Sequence, residues 1–313
     1  MILMRLSLAV PVLTVLALAA SGCSAFDEGG ANADDGVDVA AAFYPLAYVS
    51  ERVAGEHADV ELLTQPGTEP HDLELNVSTT AEISSADLVV FEHGFQPSVD
   101  DAVEQNAAGV ALDAADVVDL VAAEESHEEH EAHEGEDEHD HGDVDPHFWQ
   151  DPLRVADLGD AVAEELAEID PDHADDYDEN AAALRSDLEA LDEQFTTGLA
   201  DCERDTIVVS HDAFGYLEKY DVHIAPLVGL SPEAEPTAAV LGELQELIRD
   251  EGITTVFSEP LEPDLVAGLA SDLDLRTATL DPIEGLTDAS DGEDYLSLME
   301  SNLESIREAN ECR

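Results

Sequence analysis

Histidine and carboxylate side chains, which bind metal ions, are concentrated between residues 127 and 152 of this 313-residue chain. Residues 127–141 contain no Phe, Tyr or Trp and no aliphatic side chain larger than that of Ala. Because such a segment cannot bury enough apolar surface to offset the entropy lost on ordering, we expect a disordered acidic loop over residues 123–145. Its histidines would collect metal ions weakly; they are His127, His130, His133, His139 and His141.

His147 lies just beyond this loop and differs from the loop histidines in its neighbours. It is followed by Phe148 and by Trp149, the only tryptophan of the chain. Aromatic rings of this size pack into protein cores and can hold an adjacent histidine in one place. The stretch therefore predicts one ordered metal ligand, His147, beside a flexible accessory loop.

Three further residues could complete a metal site with His147. His211 and Asp281 each follow an apolar segment typical of a strand, and ligands bind beyond the carboxyl ends of strands in open parallel sheets. His71 lies in a loop containing Pro and Gly. Three imidazole nitrogens and one carboxylate oxygen suit tetrahedral Zn²⁺. Taken singly, each histidine is more often a packed or capping residue, and Asp281 before Pro282 is also typical of a turn start.

Several enzyme and nucleotide-binding motifs are missing from the sequence. The HEEH run at residues 127–130 is not the HExxH zinc-protease pattern and lacks the apolar helix which that pattern requires. There is no G-x-S-x-G, no Gly-rich phosphate loop and no CxxC pair. A net charge of -66, from 76 acidic against 10 basic residues, repels nucleic acid, so we expect no nucleic-acid partner.

The chain begins with a segment typical of protein export. Residues 1–23 combine a positive charge, an apolar run and small residues leading into Cys23, which resembles a signal peptide with a lipobox. Lipidation of Cys23 would anchor the mature protein to the cell membrane; the alternative is ordinary cleavage nearby without a lipid. Residues 24–36 are mostly small and polar and predict a flexible tether. In an oxidising compartment Cys202 and Cys312 predict a disulfide, with two free thiols as the alternative.

Strand and helix patterns alternate along the rest of the chain, which predicts an α/β fold with mostly parallel sheets. The strands are predicted at residues 37–43, 60–63, 87–91, 110–112, 207–210, 222–225, 254–258 and 277–280. Between the two groups of strands, residues 174–199 carry apolar side chains at helical spacing. We therefore place a first α/β lobe at 37–171, a linking helix at 172–200 and a second α/β lobe at 201–313.

Several segments, taken together and in order, resemble a known family of transport proteins. They are GTEPHDLEL, the acidic His-rich loop, DPHFWQDPLRV, TIVVSHDAFGYLEKY, GLSPEAEPT, VFSEP and TLDPIEGL. Over nearly all of the mature chain they resemble the metal-binding solute-binding proteins of zinc and manganese ABC importers. The resemblance implies two Rossmann-like lobes joined by one long rigid helix, with a metal ion held between them.

The resemblance also implies ligands and partners. By motif, the family's metal ligands fall on His71, His147, His211 and Asp281. A monomeric lipoprotein without enzymatic activity would capture Zn²⁺ on the outer face of the cell membrane and deliver it to an ABC permease. Manganese-type members often have a carboxylate where this chain has His211, and imidazole favours zinc over Mn²⁺, which prefers oxygen. Manganese is the alternative, because zinc binds most such sites tightly in vitro whatever the cell uses.

Other functions stay open at this level. A secreted zinc hydrolase would need an open coordination position and a general base, and a metal-dependent adhesin is compatible with zinc capture. Glu69, Asp212 and Glu259 could each orient an imidazole, although Asp212 is more typical of a helix N-cap before residues 213–220. Because binding needs neutral imidazoles, we expect metal affinity to fall below about pH 6.

Overall fold

The computed structural model describes residues 36–122, 144–287, 290 and 292–313. The predicted signal peptide, with Cys23, and nearly all of the predicted tether lie outside the described residues. The five histidines of the accessory loop also lie outside them, namely His127, His130, His133, His139 and His141.

The first half of the chain forms a sheet of four parallel strands. Its strands are β1 (Val37–Ala41), β2 (Ala58–Leu62), β3 (Leu88–Phe91) and β4 (Val110–Asp113), and its helices are α1 (Tyr44–Ala54), α2 (Val77–Ser85), α3 (Pro97–Asn106) and α4 (Ala114–Val117). The strand order is β2-β1-β3-β4. The central strands β1 and β3 are apolar along most of their length because separate groups of core residues cover their two faces, as is usual in parallel sheets.

The second half repeats this strand order in a second parallel sheet, β6-β5-β7-β8. Its elements are β5 (Thr206–Val209), β6 (His223–Pro226), α7 (Ala238–Glu251), β7 (Thr255–Ser258), α8 (Ala267–Leu273), β8 (Arg276–Thr279) and α9 (Tyr295–Asn310). In this order, β5 and β7 are neighbours whose following connections leave in opposite directions. Their carboxyl ends therefore flank a crevice of the kind in which α/β proteins bind ligands.

Two long helices connect the sheets, α5 (Pro152–Ile169) and α6 (Ala174–Leu199). The bounds of α6 are those predicted from its apolar spacing, and the α/β fold with two parallel sheets is confirmed. The buried residues of α6 recur every three or four positions, from Tyr177 through Leu188 to Leu199, so one face of the helix is apolar throughout. That face belongs to a continuous core that includes residues of both sheets and of α9. The two lobes thus share one core across the linking helix.

Four elements differ from the sequence patterns. Helices α3, α4 and α9 were not predicted, although Asp294 and Ser297 form a capping box at the start of α9, a signal present in the sequence. The helix predicted at 213–220 is a shorter 3₁₀ helix, Gly215–Tyr220, preceded by Phe214. The N-cap interpretation of Asp212 is therefore wrong.

Cys202 and Cys312 form a disulfide, which confirms the predicted pairing. The bridge joins the segment after α6 to the end of α9 and closes a loop with a sequence separation of 110 residues. No helix within the described part of the chain is long and apolar enough to cross a membrane.

Replacing both cysteines by serine should lower the free energy of unfolding by about 2–5 kcal/mol, because a crosslink over so long a loop strongly restricts the unfolded chain. Urea denaturation of the two proteins measures this difference. Reduction of the wild type with dithiothreitol is the matched control and should give the same loss. Equal midpoints for the oxidised wild type and the double variant would contradict the expectation.

Candidate metal site

Three histidines meet at the edge where the two halves of the chain face each other. His71 lies in the loop between β2 and α2, His147 precedes a short 3₁₀ helix, Phe148–Gln150, and His211 follows β5. The ring centroids of each pair lie 5.5 to 6.0 Å apart. His147 and His211 are completely buried and His71 is 6% exposed. The three imidazoles singled out from the sequence therefore come together.

Glu284 completes the group with a buried carboxylate. Its Oε1 lies 3.3 Å from Nε2 of His147 and 3.2 Å from Nε2 of His211, and its Oε2 lies 3.5 Å from Nε2 of His71. One ligand atom from each of these four residues lies within 4.8 Å of every other. In the described part of the chain, this is the one group of His, Cys, Asp and Glu residues that could hold a metal ion in this way.

The fourth position differs from the sequence prediction, which placed Asp281 there. The side chain of Asp281 instead accepts a hydrogen bond from the N–H of Ile283 at 2.8 Å, and Asp281 does not belong to the group. The chain turns once more after β8, where Ile283 adopts a left-handed conformation with φ of 61°, and it is the following residue, Glu284, that lies among the histidines. The structure therefore contains a turn that starts at Asp281-Pro282, the alternative that the sequence also indicated.

Two carboxylates orient the imidazoles from behind. Nδ1 of His147 lies 2.8 Å from Oδ1 of Asp145, and Nδ1 of His211 lies 2.6 Å from Oε1 of Glu259. Because an ionised carboxylate only accepts, each Nδ1 carries a proton, and in the neutral rings the Nε2 lone pairs face the centre. Glu259 was anticipated in this role. Asp145 was missed, although it stands two residues before His147 and is separated from it by a proline.

Glu69, another of the carboxylates predicted to orient an imidazole, contacts the backbone of His71. Its Oε1 accepts a hydrogen bond from the N–H of His71 at 3.3 Å. Burial, followed by the charge of Glu284, raises the pKa of Glu69 to about 8. The ring of His71 packs edge-on against Phe95, with centroids 4.6 Å apart.

Asp145 also belongs to the base of the accessory loop. Ala122 and Val144 form an antiparallel bridge, and the N–H of Asp145 donates to the carbonyl of Val121 at 2.9 Å. The hydroxyl of Tyr216, from the second half, donates to the carbonyl of Asp145 at 2.8 Å and accepts from the N–H of Val121 at 3.1 Å. The two ends of the loop are thus held together next to the residue that orients His147.

The electrostatics of the group favour a bound cation. Burial alone would lower the pKa of His147, but hydrogen bonds and charges from Asp145 and Glu284 outweigh it and raise the pKa to about 9. His211 behaves alike: burial opposes the rise, but Glu259 and Glu284 raise its pKa well above the usual value. Burial lowers the pKa of His71, and the three histidines together hold the pKa of Glu284 well below its usual range against the effect of burial.

The donor set of this group fits a tetrahedral zinc ion. Three imidazole nitrogens and one carboxylate oxygen are among the ligands that zinc takes, and the set contains more nitrogen than hard cations such as Mn²⁺ prefer. Nε2 of His147 is buried and faces Oε1 of Glu284 at 3.3 Å, so its lone pair can bind a metal ion once its proton is lost. Asp145 and Glu259 supply the outer hydrogen bonds typical of metal-bound histidines.

A model of one protein family matches residues 39–309, nearly all of the described chain. Its description is "ZnuA: Zinc-uptake complex component A periplasmic". The chain belongs to the ZnuA family. This finding confirms the family resemblance seen in the sequence motifs.

Curated members of the ZnuA family are similar over most of the chain. The chain is 33% identical over 305 residues to the zinc-binding lipoprotein AdcA of Streptococcus pneumoniae, an alignment covering 93% of this chain and 60% of AdcA. It is 31% identical over 302 residues to the high-affinity zinc uptake system protein ZnuA of Bacillus subtilis, covering 94% of both chains. The chain thus spans about 60% of the length of AdcA and nearly all of the length of the Bacillus protein.

Solved ZnuA-like structures share the fold. The Zn(II)-bound ZnuA-like domain of Streptococcus pneumoniae AdcA matches with a TM-score of 0.72 and 30% identity, covering 88% of this chain and 99% of that domain. The laminin-binding protein Lmb of Streptococcus agalactiae, described as bifunctional with adhesin and metal-transporting activity, matches with a TM-score of 0.76 and 26% identity, covering 88% and 99%.

Metal binding should release protons and strengthen as the pH rises. With the pKa of His147 at about 9 and that of His211 also raised, a metal ion must displace about two protons at neutral pH. Because the carboxylates raise these pKa values, metal affinity should begin to fall at a higher pH than the value near 6 expected from the sequence. Isothermal titration with zinc in buffers of different ionisation enthalpy measures the protons released.

The raised pKa of His147 makes the metal-free protein less stable as the pH rises, whereas metal binding becomes stronger. Since the folded pKa of His147 lies above the ordinary 6.5, its stabilising contribution is complete below that pH and is lost as the pH rises through about 9. In the titration with zinc, binding that releases no protons near pH 7 would contradict the raised pKa values of His147 and His211.

Proposed function

We propose that the protein is the extracytoplasmic solute-binding component of a zinc ABC importer. It binds Zn²⁺ between its two lobes and delivers the ion to the permease. The observation that supports this most directly is the buried group of three imidazoles and one carboxylate within 4.8 Å of one another. Membership of the ZnuA family supports the transport role.

Within this proposal the ligands are His71, His147, His211 and Glu284. Zinc is favoured over manganese because three of the four donors are imidazole nitrogens. Four protein ligands leave no position for a reactive water on a tetrahedral ion, which argues against the secreted hydrolase. The names of the curated relatives, a zinc-binding lipoprotein and a high-affinity zinc uptake protein, agree with this assignment.

The proposal also includes parts of the chain that the structure does not describe. Cys23 would be lipidated and would anchor the protein to the outer face of the cell membrane, with residues 24–36 as a tether. The mature protein would comprise a first lobe at 37–171 and a second lobe at 201–313, joined by a helix at 172–200. His127, His130, His133, His139 and His141 would raise the local concentration of zinc near the site.

Removing a ligand should abolish tight zinc binding. We expect the mature protein to bind one zinc ion tightly, and His147→Ala or Glu284→Gln to weaken that binding by more than the roughly 10–100-fold typical of losing an outer hydrogen-bond partner. Competition titration with a chromophoric chelator, with zinc and with manganese, measures both affinity and preference. His93→Ala is the matched control, because His93 also follows a strand but its side chain is 72% exposed. If His93→Ala binds zinc as weakly as the ligand variants do, the assignment of the ligands is refuted.

Deleting residues 127–141 should leave the buried site intact. The four proposed ligands and the bridge between Ala122 and Val144 all lie outside the deleted residues, so zinc affinity should change little. Zinc uptake by cells grown at scarce zinc should fall. A chain of equal length with the five loop histidines changed to asparagine separates the effect of the imidazoles from that of loop length. Collapse of the core affinity in either variant would show that the loop is not accessory.

A further inference from the structure

Glu284 reaches the three histidines at the end of a strained turn, residues 281–284. The third residue, Ile283, has φ of 61°. In this left-handed region the Cβ of an L-residue approaches the neighbouring carbonyl, and a β-branched side chain is particularly unfavourable there. Such a conformation persists only when neighbouring contacts hold it.

Hydrogen bonds fix Asp281 and Pro282, the two residues of the turn that precede Ile283. Oδ1 of Asp281 accepts from the N–H of Ile283 at 2.8 Å, and the backbone of Asp281 makes two bonds with the side chain of Asn302, at 2.8 and 2.6 Å. The carbonyl of Pro282 accepts from Nε1 of Trp149 at 2.7 Å and from Nε2 of Gln150 at 2.6 Å. Trp149 and Gln150 stand two and three residues after His147, so the turn is fixed to the segment that carries this ligand.

The chain after Glu284 is also held to the first half. The N–H of Gly67 donates to the carbonyl of Leu286 at 2.7 Å, and a Cβ at Gly285 would contact Pro70, one residue before His71. Glu284 is therefore fixed on one side to the segment of His147 and on the other to the segment of His71. The direction of its carboxylate depends on the turn between these two attachments.

We propose that Asp281 is a positioning residue for Glu284, which rests on the proposed function in that Glu284 is taken as a zinc ligand. Its carboxylate oxygen closes the turn that holds Ile283 in the left-handed conformation, and this conformation directs Glu284 at the three imidazoles. Asparagine offers the same acceptor oxygen to an N–H two residues on. The role therefore requires the oxygen atom of residue 281 and not its charge.

The test compares zinc affinity of the mature full-length chain in four variants. Asp281→Ala removes the acceptor and should weaken zinc binding about 10–100-fold, as is typical for partners that orient a ligand. Asp281→Asn keeps the acceptor and should bind zinc nearly as well as the wild type. The double variant Asp281→Ala with Glu284→Gln should bind no more weakly than Glu284→Gln alone, because a residue acting through Glu284 has no further effect once that ligand is lost.

Asn76→Ala is the matched control for a lost side-chain turn. Oδ1 of Asn76 accepts from the N–H of Ser78, also two residues on and at 2.8 Å, but at the exposed start of α2. This variant should keep wild-type zinc affinity. If Asp281→Asn loses as much affinity as Asp281→Ala, residue 281 acts as a ligand or as a charge, and the proposal is overturned. Additive losses in the double variant would overturn it as well.

Amide hydrogen exchange of the zinc-free protein tests the turn independently of metal. The N–H of Ile283 should exchange slowly in the wild type and in Asp281→Asn, and faster in Asp281→Ala. Exchange that is the same in all three proteins would overturn the proposal. A wild type that binds no zinc would refute the proposed function, while the exchange rate of Ile283 would still decide whether Asp281 holds the turn.

Discussion

The carboxylate of Glu284, buried among three imidazoles, is the interaction on which the rest of the site depends. A buried charge is costly unless it is compensated, and the four side chains compensate one another only when positive charge is present between them. The raised pKa values of His147 and His211 favour protons on both rings when no metal is bound, and a divalent cation can replace those protons. The site is therefore an exchange site in which protons and metal compete for the same lone pairs. Asp145 and Glu259 strengthen both states, because each accepts from the far side of an imidazole ring.

The fold brings these groups together by bringing two similar sheets to one crevice. His211 and Glu259 follow the neighbouring strands β5 and β7, so the strand order alone places them side by side. The continuous core through α6 fixes the relation of the lobes, since separating them would expose apolar surface at about 25 cal/mol per Å². The segment carrying Glu284 is also bonded to the first half. Metal exchange is thus expected to involve local rearrangement of loops around the site, in contrast to the wide opening of a flexible hinge.

The sequence predicts what depends on periodicity and misses what depends on backbone conformation. The bounds of α6 follow from apolar spacing, and the histidine ligands follow from strand ends and from the aromatic pair after His147. Glu284 could not be found in this way, because its position depends on a left-handed Ile283, a residue type that normally avoids this conformation at a cost of about 1–3 kcal/mol. Asp145 was missed because composition assigned it to the edge of a disordered loop, whereas it accepts a hydrogen bond from Tyr216 and donates one to Val121, and these bonds order it.

The bridge between Ala122 and Val144 has a consequence for how such a protein can change over time. The entry and exit of the inserted segment are already paired, so lengthening or shortening the insert alters little besides loop-closure entropy, about 0.6 kcal/mol for each doubling. Segments of different length and histidine content can therefore be exchanged between Ala122 and Val144 while the four residues of the buried group stay the same, which makes this position a natural place for the chain to vary.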